Sequence, residues 1–187
     1  MIIAGTGHRP DKLRIGTLDG FHPAVHARLV DLARAALQRE APARVISGMA
    51  LGWDTALAEA ALELGIPFDA YVPFAGQESR WPEPSRRRYQ GLLARAERVV
   101  IVCPGGYAPE KMQLRNERMV DDADFLLALW DGSSGGTCNC IAYAEAVGRP
   151  YRNLWPSWVR HTAAREPAPR TGDPVLAGLL GAAGGLA

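Results

Sequence analysis

Three glycine-rich stretches hold most of the residues that could meet a ligand: Gly5-Thr6-Gly7-His8-Arg9, Ser47-Gly48 through Gly52-Trp53-Asp54, and the run from Trp130 to Cys140. Glycine lets a backbone approach a phosphate closely, and a helix that starts just after such a turn offers unbonded N–H groups to an anion. In the third stretch Asp131, Gly132, Gly135 and Gly136 lead to Thr137, which adds a hydroxyl to its amide. Arg9 can fork onto a phosphate or carboxylate with two parallel bonds, or pair with Asp11 at the surface. His8 can donate to a ligand oxygen or fill the loop. Asp54 either caps the helix that follows it or accepts a bond from a ribose hydroxyl. Any one such turn has a purely geometric explanation. Three at the ends of strands sharing one sheet edge favour a binding edge.

Other chemistry is a poor fit. The G-x-G-x-x-G fingerprint after the first strand and the G-x-x-x-x-G-K-[ST] loop are both absent, which argues against a Rossmann dehydrogenase and a P-loop NTPase. Cys138-Asn139-Cys140 lacks the second Cys/His cluster that a closed tetrahedral zinc site needs, so no metal is expected and the cysteines read as small residues of a first helical turn.

The elements that must position these turns follow from hydrophobic periodicity. Apolar runs at Ile2-Gly5, Arg44-Ser47, Phe68-Val72, Val99-Cys103, Phe125-Trp130 and Tyr151-Leu154 alternate with helical patterns near Pro23-Glu40, Trp53-Leu64, Ser85-Arg95, Met112-Ala123 and Thr137-Val147. This is the pattern of an α/β, three-layer Rossmann-like fold: a mostly parallel sheet of about six strands with helices on both faces. The strands near Val99 and Phe125 are apolar at almost every position and are expected to be central. Arg115, Asn116 and Arg118 precede the fifth strand, and one of them could reach back to the glycine edge. Arg86-Arg87-Arg88 lie early in a helix, where cations oppose the macrodipole unless Glu83 partners them. Residues 1–156 read as one domain that carries this binding edge and 157–187 as a loosely ordered extension, with one short helix near Val175 to Leu180.

The chain has 187 residues, 48% of them apolar, and 21 basic against 20 acidic side chains. Its net charge of +1 gives no reason to expect nucleic acid or an anionic membrane as partner. No apolar run approaches the roughly 18 to 20 residues that span a bilayer. The start lacks a basic region and cleavage site, so a cytoplasmic location is expected. Trp81, Trp155 and Trp158, in or beside loops, fit a homodimer and fit burial in one core equally well.

The motifs "GTGHRP", "VISGMALGWDTALAEAA", "RNERMVDDAD" and "LLALWDGSSGGTCNCIAYA", taken together, resemble the YpsA-like branch of the SLOG superfamily, the Rossmann-like group that includes DprA/Smf and the Lonely-guy proteins. The resemblance covers about the first 155 residues. It implies binding of a nucleotide or nucleotide-derived small molecule at the glycine-rich strand ends, in a sensor or carrier role, with no required cofactor. The residues it points to are Gly5, Gly7, Arg9, Gly48, Gly52, Asp54, Asn116, Asp131, Gly135, Gly136 and Thr137; Thr6, His8, Ser47 and Gly132 lie in the same turns. The alternative is a Lonely-guy-like phosphoribohydrolase that cleaves the N-glycosidic bond of a nucleoside 5′-monophosphate. That family's P-G-G-x-G-T-x-x-E pattern is met only in part, by Gly135-Gly136-Thr137, and Cys140 stands at the glutamate position. Asp54, Asp131 or Glu145 would then have to supply the carboxylate, and Glu145 lies about two helical turns beyond Thr137. DNA binding in the manner of DprA is discouraged by the charge balance.

Overall fold

Six short apolar runs form one sheet in the computed structural model, which describes residues 1–163. β1 (Ile2–Gly7), β2 (Arg44–Ser47), β3 (Phe68–Val72), β4 (Arg98–Ile101), β5 (Phe125–Leu129) and β6 (Tyr151–Asn153) are parallel throughout, in the order β4-β3-β2-β1-β5-β6. Between and after them run α1 (Pro23–Glu40), α2 (Trp53–Glu63), α3 (Glu83–Leu93), α4 (Pro109–Asp121), α5 (Gly136–Ala146) and α6 (Trp155–Ala163). The expected α/β, three-layer Rossmann-like architecture is what the chain adopts.

Strand alternation builds the two outer layers. Ile3, Val45, Phe68, Leu127 and Leu129 face a core with residues of α1, α2, α3 and α6, whereas Ala4, Ile46, Tyr71 and Leu126 face one with Met119, Val120, Cys140 and Ala144 of α4 and α5. α1 starts where expected because His22 accepts the amide of Ala24 and Pro23 presets the first turn. Val25, Leu29, Leu32, Ala36 and Leu37 then form its buried stripe.

The chain steps outward from β1 to β4 on one side, and α4 carries it back to β5 on the other side of β1. A crevice therefore opens above the carboxyl ends of β1 and β5, where open α/β sheets bind ligands.

Two expectations fail. β4 is an edge strand, not a central one, and Val99 and Ile101 are 47% and 53% exposed; an apolar run reports β-propensity and cannot tell which flank has a neighbour. Residues 157–163, expected to open a loose extension, are instead the body of α6. Asn153 Oδ1 accepts the Trp155 amide at 3.0 Å, and Trp158 is buried against the α1 layer. The short helix expected near Val175 to Leu180 lies outside the described residues. The three tryptophans are accounted for by packing: Trp158 in the core, Trp155 edge-on to His8 at 5.3 Å, and Trp81 edge-on to Tyr89 at 5.3 Å. Among the described residues no helix is long and apolar enough to cross a membrane.

Candidate functional site

The first two glycine turns are explained by close packing. A Cβ on Gly7 would lie 2.6 Å from the indole of Trp53, and one on Gly5 would overlap Leu57. Trp53 is fully buried, its Nε1 donates to Leu127 O at 3.1 Å, and its amide donates to His8 O at 3.2 Å. Gly52 takes φ +94°, a region costly for other residues, and a Cβ there would meet His8 O. A Cβ on Gly48 would overlap Arg115 and come within 2.8 Å of Asp54 Oδ2. These contacts lock α2 onto β1 and bring the two turns side by side.

The third turn differs. Gly132 and Gly135 need glycine for their positive φ, but Gly136 has neither a positive φ nor any atom within 4 Å of a Cβ placed on it. No side chain caps α5, whose first turn carries no acidic residue, so the leading amides of the helix have no acceptor among the described residues. Asp131 shapes the turn: its Oδ1 accepts the amide of Ser133 at 2.8 Å and its hydroxyl at 2.5 Å. These bonds hold the Asp131 carboxyl down at about 2. His8 Nε2 is 2.9 Å from the Asp131 amide and 2.8 Å from Asp131 Oδ1. Burial lowers the His8 pKa against the pull of Asp131, so the neutral ring satisfies one contact or the other according to its tautomer.

Above these turns lies a cleft of about 200 Å³. Thr6, Gly7, His8, Arg9, Asp54 and Asn116 line it, together with Gly135, Gly136 and Thr137. Arg9 is exposed and makes no hydrogen bond or ion pair with any described residue; Asp11, its expected surface partner, lines the same cleft without pairing. Gly5, Ser47, Gly48, Gly52, Asp131 and Gly132 support the walls without lining them. Ser47 Oγ, for example, donates to Asp54 O at 2.7 Å and accepts the Met49 amide at 3.1 Å.

Of the three arginine and asparagine candidates on α4, Arg115 and Asn116 line the cleft, while Arg118 does not and pairs with Asp122 at 2.7 Å. Arg115 is buried, donates to Gly48 O and to Asn116 Oδ1 at 3.0 Å, and faces Asp54 Oδ2 at 3.7 Å. Asn116 in turn donates to Gly136 O at 3.2 Å. A polar relay therefore joins Asp54 to the start of α5. Lys12 and Ser133, absent from the sequence expectation, join across the cleft mouth through Nζ and Oγ. Lys12 arrives there because Pro10 starts a one-turn 3-10 helix that doubles the chain back. Arg86 and Arg87 pair with Glu83, and Arg88 lies near Glu59, so that trio stays at the surface.

The carboxylate candidates separate clearly. Glu145 is at the distal end of α5, accepts Tyr151 OH at 2.9 Å and does not line the cleft. Asp131 is committed to its own turn. Of these three candidates Asp54 alone lines the cleft, and it does not cap α2: the cap residue is Gly52, and Asp54 Oδ2 instead accepts the Ala50 amide at 3.3 Å. Cys140, in the glutamate position of the hydrolase pattern, is buried beside Thr6, with its thiol pushed up to about 11 by burial. It stays neutral and inert near pH 7.

Burial pushes the Asp54 carboxyl up to about 6 against the opposing pull of Arg115. The native state then holds this proton more tightly than the unfolded chain, so its stabilising effect is full below pH 3.8 and lost as pH rises through about 6. That difference corresponds to about 3 kcal/mol. In urea unfolding series, wild-type stability relative to Asp54→Asn is expected to fall by about this amount from pH ~3.5 to ~7. A difference that does not change with pH would contradict a buried, titrating Asp54.

Comparison with known proteins adds the lineage. Residues 3–151 match a family model described as the YspA SLOG family. The UPF0398 protein of Bacillus cereus is 30% identical over 149 residues, which cover 73% of this chain and 77% of that protein. DNA processing protein A (DprA) of Streptococcus pneumoniae superposes with a TM-score of 0.58 at 17% identity, over 87% of this chain and 54% of that one. The molybdenum cofactor carrier protein MCP of Chlamydomonas reinhardtii gives a TM-score of 0.50 at 14% identity, over 88% of this chain and 84% of that one. At such identities the two structures share the fold alone.

Proposed function

The chain belongs to the YspA SLOG family, and on that footing we propose that its cleft binds a nucleotide or nucleotide-derived small molecule by the phosphate, in a sensor or carrier role. The observation that carries this reading is the uncapped start of α5 at Gly136 and Thr137, in one cleft with an Arg9 that has no partner among the described residues. Amides at a helix start and a guanidinium are complementary to a phosphate. Lys12, released from Ser133, adds a second cation at the mouth. The likeness to a protein named as a cofactor carrier supports the carrier form of the reading.

Calorimetry against nucleoside mono- and diphosphates, ADP-ribose and cyclic dinucleotides tests it. Binding should appear, and Arg9→Ala should weaken it by about tenfold, the usual worth of a hydrogen bond to a charged group. No heat at millimolar ligand would overturn the reading.

One observation keeps the phosphoribohydrolase as a second reading: Asp54, which titrates near neutrality, lines the same cleft. A carboxylate near the sugar is what stabilises the charge developed when an N-glycosidic bond breaks. Overnight incubation with AMP should then yield free base and ribose phosphate by chromatography, and unchanged AMP would dismiss that reading for this substrate.

A further inference from the structure

The two ends of the cleft differ in kind. At the α5 end are N–H donors and a cation: the amides of Gly136 and Thr137, and Lys12, which reaches Ser133. At the α2 end is Asp54, only 5% exposed, whose Oδ2 accepts the Ala50 amide and faces Arg115. Its Oδ1 has no hydrogen-bond partner among the described residues, and Asp54 lines the cleft. Arg115 does not fill that vacancy: it donates to Gly48 O and Asn116 Oδ1, and the Asp54 oxygen it faces, at 3.7 Å, is Oδ2. A nearly buried carboxylate oxygen facing a binding cleft calls for a donor from the ligand.

Donor and acceptor chemistry decides what meets that oxygen: an ionised carboxylate only accepts hydrogen bonds and an ionised phosphate offers acceptor oxygens, whereas a sugar hydroxyl donates. The relay from Asp54 through Arg115 and Asn116 to Gly136 O holds the two ends in fixed register, so one ligand spans both. Resting on the phosphate reading above, we infer that Asp54 Oδ1 accepts a sugar hydroxyl of the bound ligand. The cleft then selects 5′-phosphorylated ribosyl compounds over their deoxygenated analogues. A site that leaves a buried polar group unpaired when a hydroxyl is missing discriminates far better than an apolar pocket.

Calorimetry of the wild-type chain at neutral pH with AMP, IMP and 2′,3′-dideoxy-AMP tests this without a variant. AMP and IMP should bind alike, and 2′,3′-dideoxy-AMP should bind about tenfold or more weakly. In Asp54→Ala the AMP affinity should drop to that of the dideoxy compound, which itself should change little. Equal affinity of the wild type for AMP and 2′,3′-dideoxy-AMP would overturn the inference while leaving the phosphate reading standing. Loss of affinity with IMP alone would overturn it too, since Asp54 would then be reading the amino group of the base. If no phosphate compound binds, the phosphate reading fails and this inference falls with it.

Discussion

Gly136→Val is expected to fold as the wild type does and to lose binding of nucleoside 5′-monophosphates by roughly a hundredfold or more. Both halves follow from one fact: a Cβ at Gly136 meets nothing within 4 Å, and the residue does not adopt a positive φ. The fold gives no reason for glycine there, and valine has the better helix propensity of the two. The branched side chain would occupy the space over the leading amides of α5, where the phosphate must sit. Gly135 makes a poorer test, because its φ of 137° would strain any replacement. Calorimetry together with a thermal melt checks the prediction: an unchanged melt with binding intact would mean that the space over α5 is not the phosphate site.

Trp53→Ala should have the largest effect on stability. The indole is fully buried, lies against the Gly5 and Gly7 backbone, and donates to Leu127 O at 3.1 Å. Truncation leaves a cavity between α2 and β1 and a strand carbonyl without its side-chain donor. Large aromatic-to-alanine changes of this kind cost about 3–5 kcal/mol. At this chain length that is a drop of roughly 10 °C in melting temperature. A drop of less than about 2 °C would mean that the Gly7–Trp53 interlock does not hold the two turns together.

Much of the fold was legible because its signals were local. Pro23 after His22 marks the start of α1, and β2 and β3 are short apolar runs bounded by turn residues. The position of β4 was not legible, since Val99 and Ile101 would read the same in a covered strand. α6 was missed because its dependence on Asn153 and on the α1 layer is a tertiary matter.

The site was legible in type more than in role. Gly5, Gly7, Gly48 and Gly52 stand at the predicted edge, but the backbone approach they permit is to Trp53, Leu57, Arg115 and His8. Sequence pattern does not distinguish a glycine that makes room for a neighbour from one that makes room for a ligand; of the glycines in these three turns, only Gly136 has neither a neighbour nor a positive φ to require it. Arg115 and Arg118 are three residues apart, and only the placement of α4 decides that the first faces the cleft. Asp131 and Glu145 had the right chemistry and the wrong commitments. Lys12 and Ser133 left no signal, because their meeting depends on a turn that folds back across the mouth.

A crystal structure grown with saturating AMP tests the central claim most directly. The account predicts phosphate oxygens about 2.7–3.1 Å from the amides of Gly136 and Thr137, with the Arg9 guanidinium turned onto them. AMP lying instead in the groove between Arg44, Arg98 and Arg118 on the α4 face of the sheet, with the α5 amides bare, would contradict it.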